Sequence, residues 1–136
     1  MRVCLDTNVL VAAFATRGLC ADVFRTVAAE HDLVLGEVML TELRRALKTQ
    51  LRLPEEGIAA VEAVLASFPV IPRPEAPGDV EIRDPEDRWI FATAIAGSAD
   101  VLVTGDQDLL AVHGTAPLPI LDPRAFWEML RAGPTG

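Results

Sequence analysis

Short apolar runs alternate with helix-patterned segments along the whole of this 136-residue chain. The runs that predict strands lie at 3–5, 33–35, 68–71, 101–104 and 118–121. Apolar residues recur at helical spacing at 9–14, 21–29, 38–51, 54–65, 84–96, 107–111 and 123–130. Strands separated by helices pair in parallel through right-handed crossovers. The pattern therefore predicts a three-layer α/β/α sandwich around a central, mostly parallel five-stranded sheet.

The length predicts one domain, covering residues 1–132, followed by a flexible Gly-Pro-Thr-Gly tail at 133–136. A domain of this size buries roughly 68% of the surface that its unfolded chain exposes, so it needs no disulfide or metal to fold. Cys4 and Cys20 stand in apolar contexts without metal-ligand spacing, which favours free thiols in a reducing compartment. No apolar run approaches the roughly 20 residues that a bilayer requires. We therefore expect a cytoplasmic protein that does not span a membrane.

The charge balance is acidic, with 20 acidic residues against 12 lysines and arginines and a formal net charge of -8. Proteins that bind nucleic acids usually carry a basic footprint, so this balance argues against a broad electrostatic surface for RNA or DNA. A cluster of carboxylates that binds a divalent cation nevertheless reverses its local charge. The positions of the acids therefore matter more than their number.

Two aspartates follow predicted strands almost directly. Asp6 comes immediately after the first strand, and Asp106 follows the fourth strand after one glycine. Because ligands of parallel sheets bind outside the carboxyl ends of the strands, both carboxylates are expected at the same edge. Each also has a structural alternative, since Asp6 can cap a helix that begins near Asn8 and Asp106 can cap one that begins at Gln107.

The predicted helix at 38–51 carries both an acid and a basic patch. Its apolar stripe consists of Met39, Leu43, Leu47 and Leu51. Glu42 lies at the rim of that stripe, where a carboxylate reaches into water or toward a neighbouring site. The opposite face forms the only dense basic patch of the sequence, which consists of Arg44, Arg45, Lys48 and Arg52. This patch is either an ordinary solvated face or a surface for a phosphate backbone or an acidic partner.

The sequence Asp-Pro-Glu-Asp at 84–87 opens a helix and contains two candidate acids. Asp84 suits the N-cap, with Pro85 in the first turn. Asp87 then falls on the same helical face as Ile90 and Phe91, so it points toward the core side. A carboxylate there can complete a capping box or respond to the helix dipole, and it can equally belong to a site. Whether Asp84 also takes part in that site is left open.

Asp6, Glu42, Asp87 and Asp106 together predict a metal site. Converging carboxylates raise one another's pKa unless a cation neutralises them. Clusters of oxygen ligands suit hard divalent ions such as Mg²⁺ and Mn²⁺, which are completed by water and substrate phosphates. The two histidines and two cysteines do not join these acids at any spacing typical of zinc. Ions at such a site would activate a water molecule against a phosphodiester, and no side-chain nucleophile is needed.

The ordered set of acidic segments resembles PIN-domain nucleases. The opening Asp-Thr-Asn-Val-Leu-Val at 6–11, Leu-Thr-Glu-Leu at 40–43, Asp-Arg-Trp-Ile-Phe-Ala-Thr-Ala at 87–94 and Val-Thr-Gly-Asp-Gln-Asp-Leu-Leu at 103–110 match the family's four motifs in order. The resemblance runs from residue 2 to about residue 128. It is greatest to the VapC-like toxins of bacterial and archaeal toxin–antitoxin pairs.

This resemblance implies a Mg²⁺- or Mn²⁺-dependent endoribonuclease that is often dimeric and is held inactive by a cognate antitoxin protein. By position, the catalytic and metal-ligand roles go to Asp6, Glu42, Asp87 and Asp106. Asp108 becomes an extra ligand or a residue that holds the loop, and the supporting polar residues are Thr7, Asn8 and Thr104. The acidic surface departs from what general RNA affinity needs, and suits either a narrow substrate or a basic antitoxin segment.

Two other functions are compatible with parts of this sequence, an aspartyl-phosphate enzyme and a binding module without catalysis. An aspartyl-phosphate enzyme would also place an aspartate after the first strand, but the second aspartate that dehalogenase-like enzymes need is Asn8 here. The lysine that receiver-type domains need is also missing, since Lys48 is the only lysine and lies elsewhere. A catalytically silent PIN-like binding module is the other alternative, although all four acids are present.

Trp89 and Trp127 are predicted to be core residues because of their helical spacing.

Overall fold

The central sheet of the protein contains five strands that pair in the order β3-β2-β1-β4-β5. The computed structural model describes residues 1–78 and 80–132. All four pairings between neighbouring strands are parallel, which confirms the predicted fold class. The strands are β1 Arg2–Leu5, β2 Asp32–Gly36, β3 Val70–Ile71, β4 Val101–Val103 and β5 Ile120–Leu121.

Seven helices connect or follow these strands in the described part of the chain. They are α1 Thr7–Ala15, α2 Leu19–Glu30, α3 Glu37–Thr49, α4 Glu55–Leu65, α5 Pro85–Ala96, α6 Gln107–Leu110 and α7 Pro123–Arg131. Every predicted helix is present, with ends that differ by a few residues. The predicted tail at 133–136 lies outside the described residues.

Three predictions need correction. The outer strands are shorter than the predicted 68–71 and 118–121, since Pro69 and Pro119 stand just before them and have no N–H for a ladder. The helix predicted at 38–51 ends at Thr49, because the backbone of Arg52 turns to a φ of +53°, and Leu51 is left 37% exposed. The two tryptophans predicted in the core are only partly buried and pack against its margin.

The order of the strands reverses at β1, which lies between β2 and β4. The chain leaves β1 toward β2 on one side and later returns to β4 on the other side. A crevice forms outside the carboxyl ends of the strands at such a point. Asp6 directly follows β1, and Asp106 follows β4, so both aspartates stand at this crevice.

Helix α5 approaches the sheet unusually closely. A Cβ atom on Gly36, at the end of β2, would lie only 2.3 Å from Cγ2 of Thr93 on α5. A Cβ atom on Gly97 would likewise lie 2.4 Å from Cγ1 of Val34. The two glycines therefore let α5 rest against β2, and this contact determines where its first turn, with Asp87, meets the crevice.

No single helix of residues 1–78 and 80–132 is long and apolar enough to cross a membrane. Helices α1 and α2 reach the length and apolar composition of a membrane span only when they are taken together, and the chain bends by 106° between them.

Candidate active site

A cavity of about 450 Å³ opens at the carboxyl edge of the sheet. Four acids from four separate segments line it, namely Asp6 after β1, Glu42 on α3, Asp87 in the first turn of α5 and Asp106 after β4. The structure therefore brings together all four acids that the sequence singles out.

Asp6 is the most buried of these acids, with 4% of its surface exposed. One carboxylate oxygen accepts a hydrogen bond from the backbone N–H of Thr7 at 2.6 Å, so Asp6 does cap α1. The other oxygen accepts from the Thr104 hydroxyl at 2.7 Å and from the Asn8 amide at 3.2 Å. The capping alternative and the site interpretation are thus compatible, since the side chain is held by its cap while it lines the cavity.

Thr104 links the two strand ends. Its fully buried hydroxyl donates to Asp6 and accepts the backbone N–H of Asp106 at 2.9 Å. Asn8 adds a second link, because its side-chain oxygen accepts the backbone N–H of Gly105 at 3.1 Å. These contacts hold the Asp6 and Asp106 carboxylates at a defined separation without any ligand.

Replacing Thr104 by valine is expected to lower the free energy of unfolding by about 2 kcal/mol, since the buried Asp6 carboxylate loses a donor and the Asp106 N–H loses an acceptor. Thr104→Ser keeps the hydroxyl and loses only a methyl group, so it should lose less than half as much. Urea unfolding of both variants measures the difference. Equal losses would show that the methyl packing of Thr104 matters and its hydrogen bonds do not.

Glu42 is half-buried on α3 and accepts a hydrogen bond from the Thr7 hydroxyl at 2.8 Å. Thr7 therefore contacts two of the acids, Asp6 through its N–H and Glu42 through its side chain. Burial raises the pKa of Glu42, and the hydrogen bond from Thr7, with a smaller effect of the Arg45 charge, partly opposes this rise. Of the two expectations for this rim position, the structure places Glu42 at the site rather than in open solvent.

Asp84 and Asp87 have different roles, as the N-cap pattern predicts. Asp84 accepts the backbone N–H of Glu86 at 2.9 Å and caps α5. Asp87 is only 7% exposed, and its buried Oδ2 has no hydrogen-bond partner among the described residues. Oxygens of Asp84, Asp87 and Asp108 also lie within 4.8 Å of one another. Asp108 and Asp84 thus stand beside Asp87 and not on the lining of the main cavity.

Asp106 also acts as a cap, because its Oδ1 accepts the backbone N–H of Asp108 at 2.8 Å at the start of α6. Both structural alternatives for the strand-end aspartates are therefore real. Capping engages one oxygen of the carboxylate and leaves the side chain on the wall of the cavity.

Burial and neighbouring charges raise the pKa of two of these acids, Asp6 and Asp87. Burial, with smaller contributions from Glu42 and Asp106, raises the pKa of Asp6 to about 6, although hydrogen bonds from Thr104 and Thr7 oppose the rise. Burial and the charges of Asp106, Asp84 and Asp6 raise the pKa of Asp87 to about 8. Holding like charges close together lowers the stability of the folded state, and such perturbed pKa values are typical of functional sites.

The basic patch on α3 is divided by the structure. Arg44 forms ion pairs with Glu55 at 3.0 Å and Glu62 at 2.7 Å on α4, so it ties two helices together. Arg45 lines the acidic cavity. Lys48 and Arg52 are exposed, and neither lines the acidic cavity. The four basic residues therefore differ in their surroundings, and the contact of the patch with RNA or a partner stays a prediction.

Other residues of the cavity wall were not anticipated. Val11 and Ala12 of α1 and Ala46, Thr49 and Gln50 at the end of α3 line the cavity with the acids. The signal for these residues of α3 and its C-cap is present in the sequence, because positions four, seven and eight after Glu42 lie on its side of the helix. No comparable signal marks which face of α1 meets the cavity.

Comparison with known proteins agrees with this architecture. A family model described as the PIN domain matches residues 2–108. The chain is similar to VapBC2 from Rickettsia felis in a complex with a promoter DNA fragment, with 18% identity, a TM-score of 0.64, and coverage of 90% of this chain and 98% of the other. It is also similar to VapBC-1 from nontypeable Haemophilus influenzae, with 20% identity, a TM-score of 0.62, and coverage of 91% and 99%.

A third similar structure is PAE2754 from Pyrobaculum aerophilum, with 21% identity, a TM-score of 0.64, and coverage of 98% of this chain and 97% of the other. No curated protein sequence matches the chain. The structural similarities establish the shared fold, and the match of the family model covers most of the sequence. The chain therefore belongs to the PIN-domain family, the family of nucleases that its four acidic segments resemble.

Proposed function

We propose that this PIN domain is a Mg²⁺- or Mn²⁺-dependent endoribonuclease and the toxin of a toxin–antitoxin pair. The observation that carries the proposal is the convergence of Asp6, Glu42, Asp87 and Asp106 on one cavity. A fold gains no stability from collecting four carboxylates without a cation. The silent binding module does not account for that cost, and the aspartyl-phosphate enzyme is disfavoured because Asn8 stands where its second aspartate would be.

The donors at the cavity fit a hard divalent ion. All of them are oxygens, and the buried Oδ2 of Asp87 has no partner in the described part of the chain. Asp6 and Asp106 would be the principal ligands, Glu42 and Asp87 would complete the set directly or through water, and Asp108 would support it beside Asp87. A bound ion of this kind supplies Lewis acidity toward the phosphate and lowers the pKa of a water ligand.

The chain's own residues provide the positioning. Thr104 and Asn8 hold Asp6 in one orientation, and Thr104 fixes the start of the Asp106 loop through its backbone N–H. Thr7 holds one oxygen of Glu42, which leaves the other oxygen to accept a proton from the attacking water. Hydrolysis by water is expected to leave a 5′-phosphate and a 3′-hydroxyl.

The test of metal dependence is cleavage of a single-stranded RNA by the purified protein. We expect cleavage to stop when EDTA removes divalent ions and to return with excess Mg²⁺ or Mn²⁺, because the carboxylates alone repel the phosphate backbone. End-labelling of the products checks the 5′-phosphate and 3′-hydroxyl. Cleavage that continues in EDTA, or a 2′,3′-cyclic phosphate, would contradict the mechanism.

Arg45 is proposed as the basic residue that meets the substrate, since it lines the cavity beside Glu42. Arg45→Gln is expected to raise KM about tenfold and to lower the salt dependence of binding by about one phosphate contact, with kcat little changed. Lys48→Gln removes the same charge from the same helix away from the cavity and serves as the control. Similar KM values for both variants would reduce the role of Arg45 to general electrostatics.

The partners remain proposals of the same kind. An antitoxin protein is supported by the similarity to the VapBC proteins of Rickettsia felis and Haemophilus influenzae. A homodimer or higher homo-oligomer is supported by the resemblance to VapC-like toxins. A cytoplasmic location is consistent with the proposed RNA substrate and with the two free cysteines. Expression with the protein encoded by the neighbouring gene, followed by co-purification, tests the first of these.

A further inference from the structure

A second, smaller cavity of about 150 Å³ adjoins the acidic cavity. Glu42 and Arg45 line both cavities, so the two lie side by side along α3. This volume is smaller than the roughly 300–1,000 Å³ of pockets that hold drug-sized ligands, so the cavity suits a small group.

One wall of this cavity combines an aromatic ring with a cation. The guanidinium carbon of Arg73 lies 4.1 Å from the centroid of the Trp89 indole. The backbone N–H of Arg73 donates to Glu37 at 3.1 Å, which fixes the loop that carries this arginine against α3. Indole rings and guanidinium planes are the surfaces on which unpaired nucleobases stack.

The other polar groups of the cavity are three carboxylates, a second cation and a hydroxyl. Glu37, Glu42 and Glu86 supply the carboxylates, and Arg45 and Thr41 supply the cation and the hydroxyl. Glu37 and Glu42 each accept a hydrogen bond within the protein, from Arg73 and Thr7. Glu86 accepts none from the residues that the structure describes. Among the three carboxylates, Glu86 is therefore the acceptor that a ligand can use, and a ligand that pairs with it must carry hydrogen-bond donors.

We propose that this cavity, the Trp89 subsite, binds a nucleobase next to the scissile phosphate and prefers guanine. Guanine presents N1–H and N2–H side by side, so it can donate two parallel hydrogen bonds to the Glu86 carboxylate. Uracil presents one N–H between two carbonyl oxygens, which the carboxylate repels. A second cation is less suited to a wall that already carries Arg73. The inference rests on the proposed function, and it explains how an acidic protein selects RNA by stacking rather than by charge.

Nuclear magnetic resonance tests binding without any cleavage. The chain contains only Trp89 and Trp127, so an ¹⁵N spectrum of the metal-free protein shows two indole signals, assigned with Trp89→Phe. We expect guanosine to shift the Trp89 signal saturably, about fivefold more tightly than uridine does. The Trp127 signal, from α7, should not move. Glu86→Gln should abolish the preference, whereas Glu128→Gln on α7 should retain it.

Three results would overturn the inference. Guanosine and uridine could shift Trp89 equally, or neither could shift it. N-acetyl-arginine amide could shift Trp89 in place of guanosine, which would show that the cavity receives a cationic side chain of a protein partner.

Cleavage kinetics separate this inference from the nuclease proposal. Arg73→Gln alters an exposed wall residue, so the fold should not change. It is expected to raise KM about fivefold for an RNA with guanine at the cleavage site, with kcat unchanged and little effect on a uridine-only RNA. An unchanged KM would overturn the subsite while the nuclease stands. Absence of any cleavage by the unaltered protein would overturn the nuclease and leave the guanosine titration as a separate result.

Discussion

Asp6→Asn is expected to lower the rate of RNA cleavage at least about a thousandfold, a loss of about 4 kcal/mol in transition-state stabilisation. Asp6 is the acid whose two oxygens are both oriented, by Thr7 on one side and by Thr104 and Asn8 on the other. The amide keeps the shape of the side chain but removes its charge and one oxygen ligand. Asparagine caps helices as well as aspartate does, so α1 should be retained.

The matched control is Glu128→Gln, which makes the same change of charge on an exposed acid of α7. Both variants are prepared identically and assayed on the same RNA with Mg²⁺ and with Mn²⁺. Circular dichroism confirms that Asp6→Asn is folded. Residual cleavage above a few per cent of the unaltered rate, with the control fully active, would remove Asp6 from the catalytic set.

Asp87→Asn is expected to stabilise the metal-free protein at alkaline pH by about 2 kcal/mol. Burial, together with Asp106, Asp84 and Asp6, raises the pKa of Asp87 to about 8, well above that of an unfolded aspartate. The folded state therefore binds a proton more tightly than the unfolded state. Stability from this group is present at low pH and is lost as the pH rises toward about 8. An amide does not ionise and avoids that loss.

Urea unfolding in EDTA at about pH 5.5 and about pH 8.5 measures this effect, and the advantage of Asp87→Asn should grow between the two. Adding Mn²⁺ should reverse the order, because the ion stabilises the folded state with Asp87 and binds the variant more weakly. Glu128→Gln is the control, since it makes the same change of charge on an exposed acid of α7. A variant that is less stable in EDTA and unchanged in its response to Mn²⁺ would make Asp87 a structural residue.

Much of this architecture follows from local sequence. Apolar runs bounded by polar residues place the strands, and Asp84 followed by Pro85 places the start of α5. The pattern also indicates that Asp6 and Asp106 share the carboxyl edge of a parallel sheet, as they do. Such features depend on a few neighbouring residues or on the rule of parallel pairing, so the sequence alone predicts them.

Other features depend on contacts between distant segments. Arg44 and Arg45 are adjacent in sequence and equal in charge, yet Arg44 forms ion pairs with α4 and Arg45 lines the acidic cavity. That division depends on where α4 packs, and no residue near Arg44 in sequence specifies it. The juxtaposition of Trp89 with Arg73 is of the same kind, because it joins a helix to a loop that precedes it by several residues.

The residue types and their order along the chain were sufficient to predict the fold class, the approximate elements and four acids that line one cavity. Folding alone determined the depth of Asp87, the bridge through Thr104 and the second cavity beside Glu42. The physical reason is that periodicity and capping act over a few residues, whereas burial, hydrogen bonds across strands and the mutual repulsion of carboxylates depend on distances that exist only after the sheet and α5 have packed.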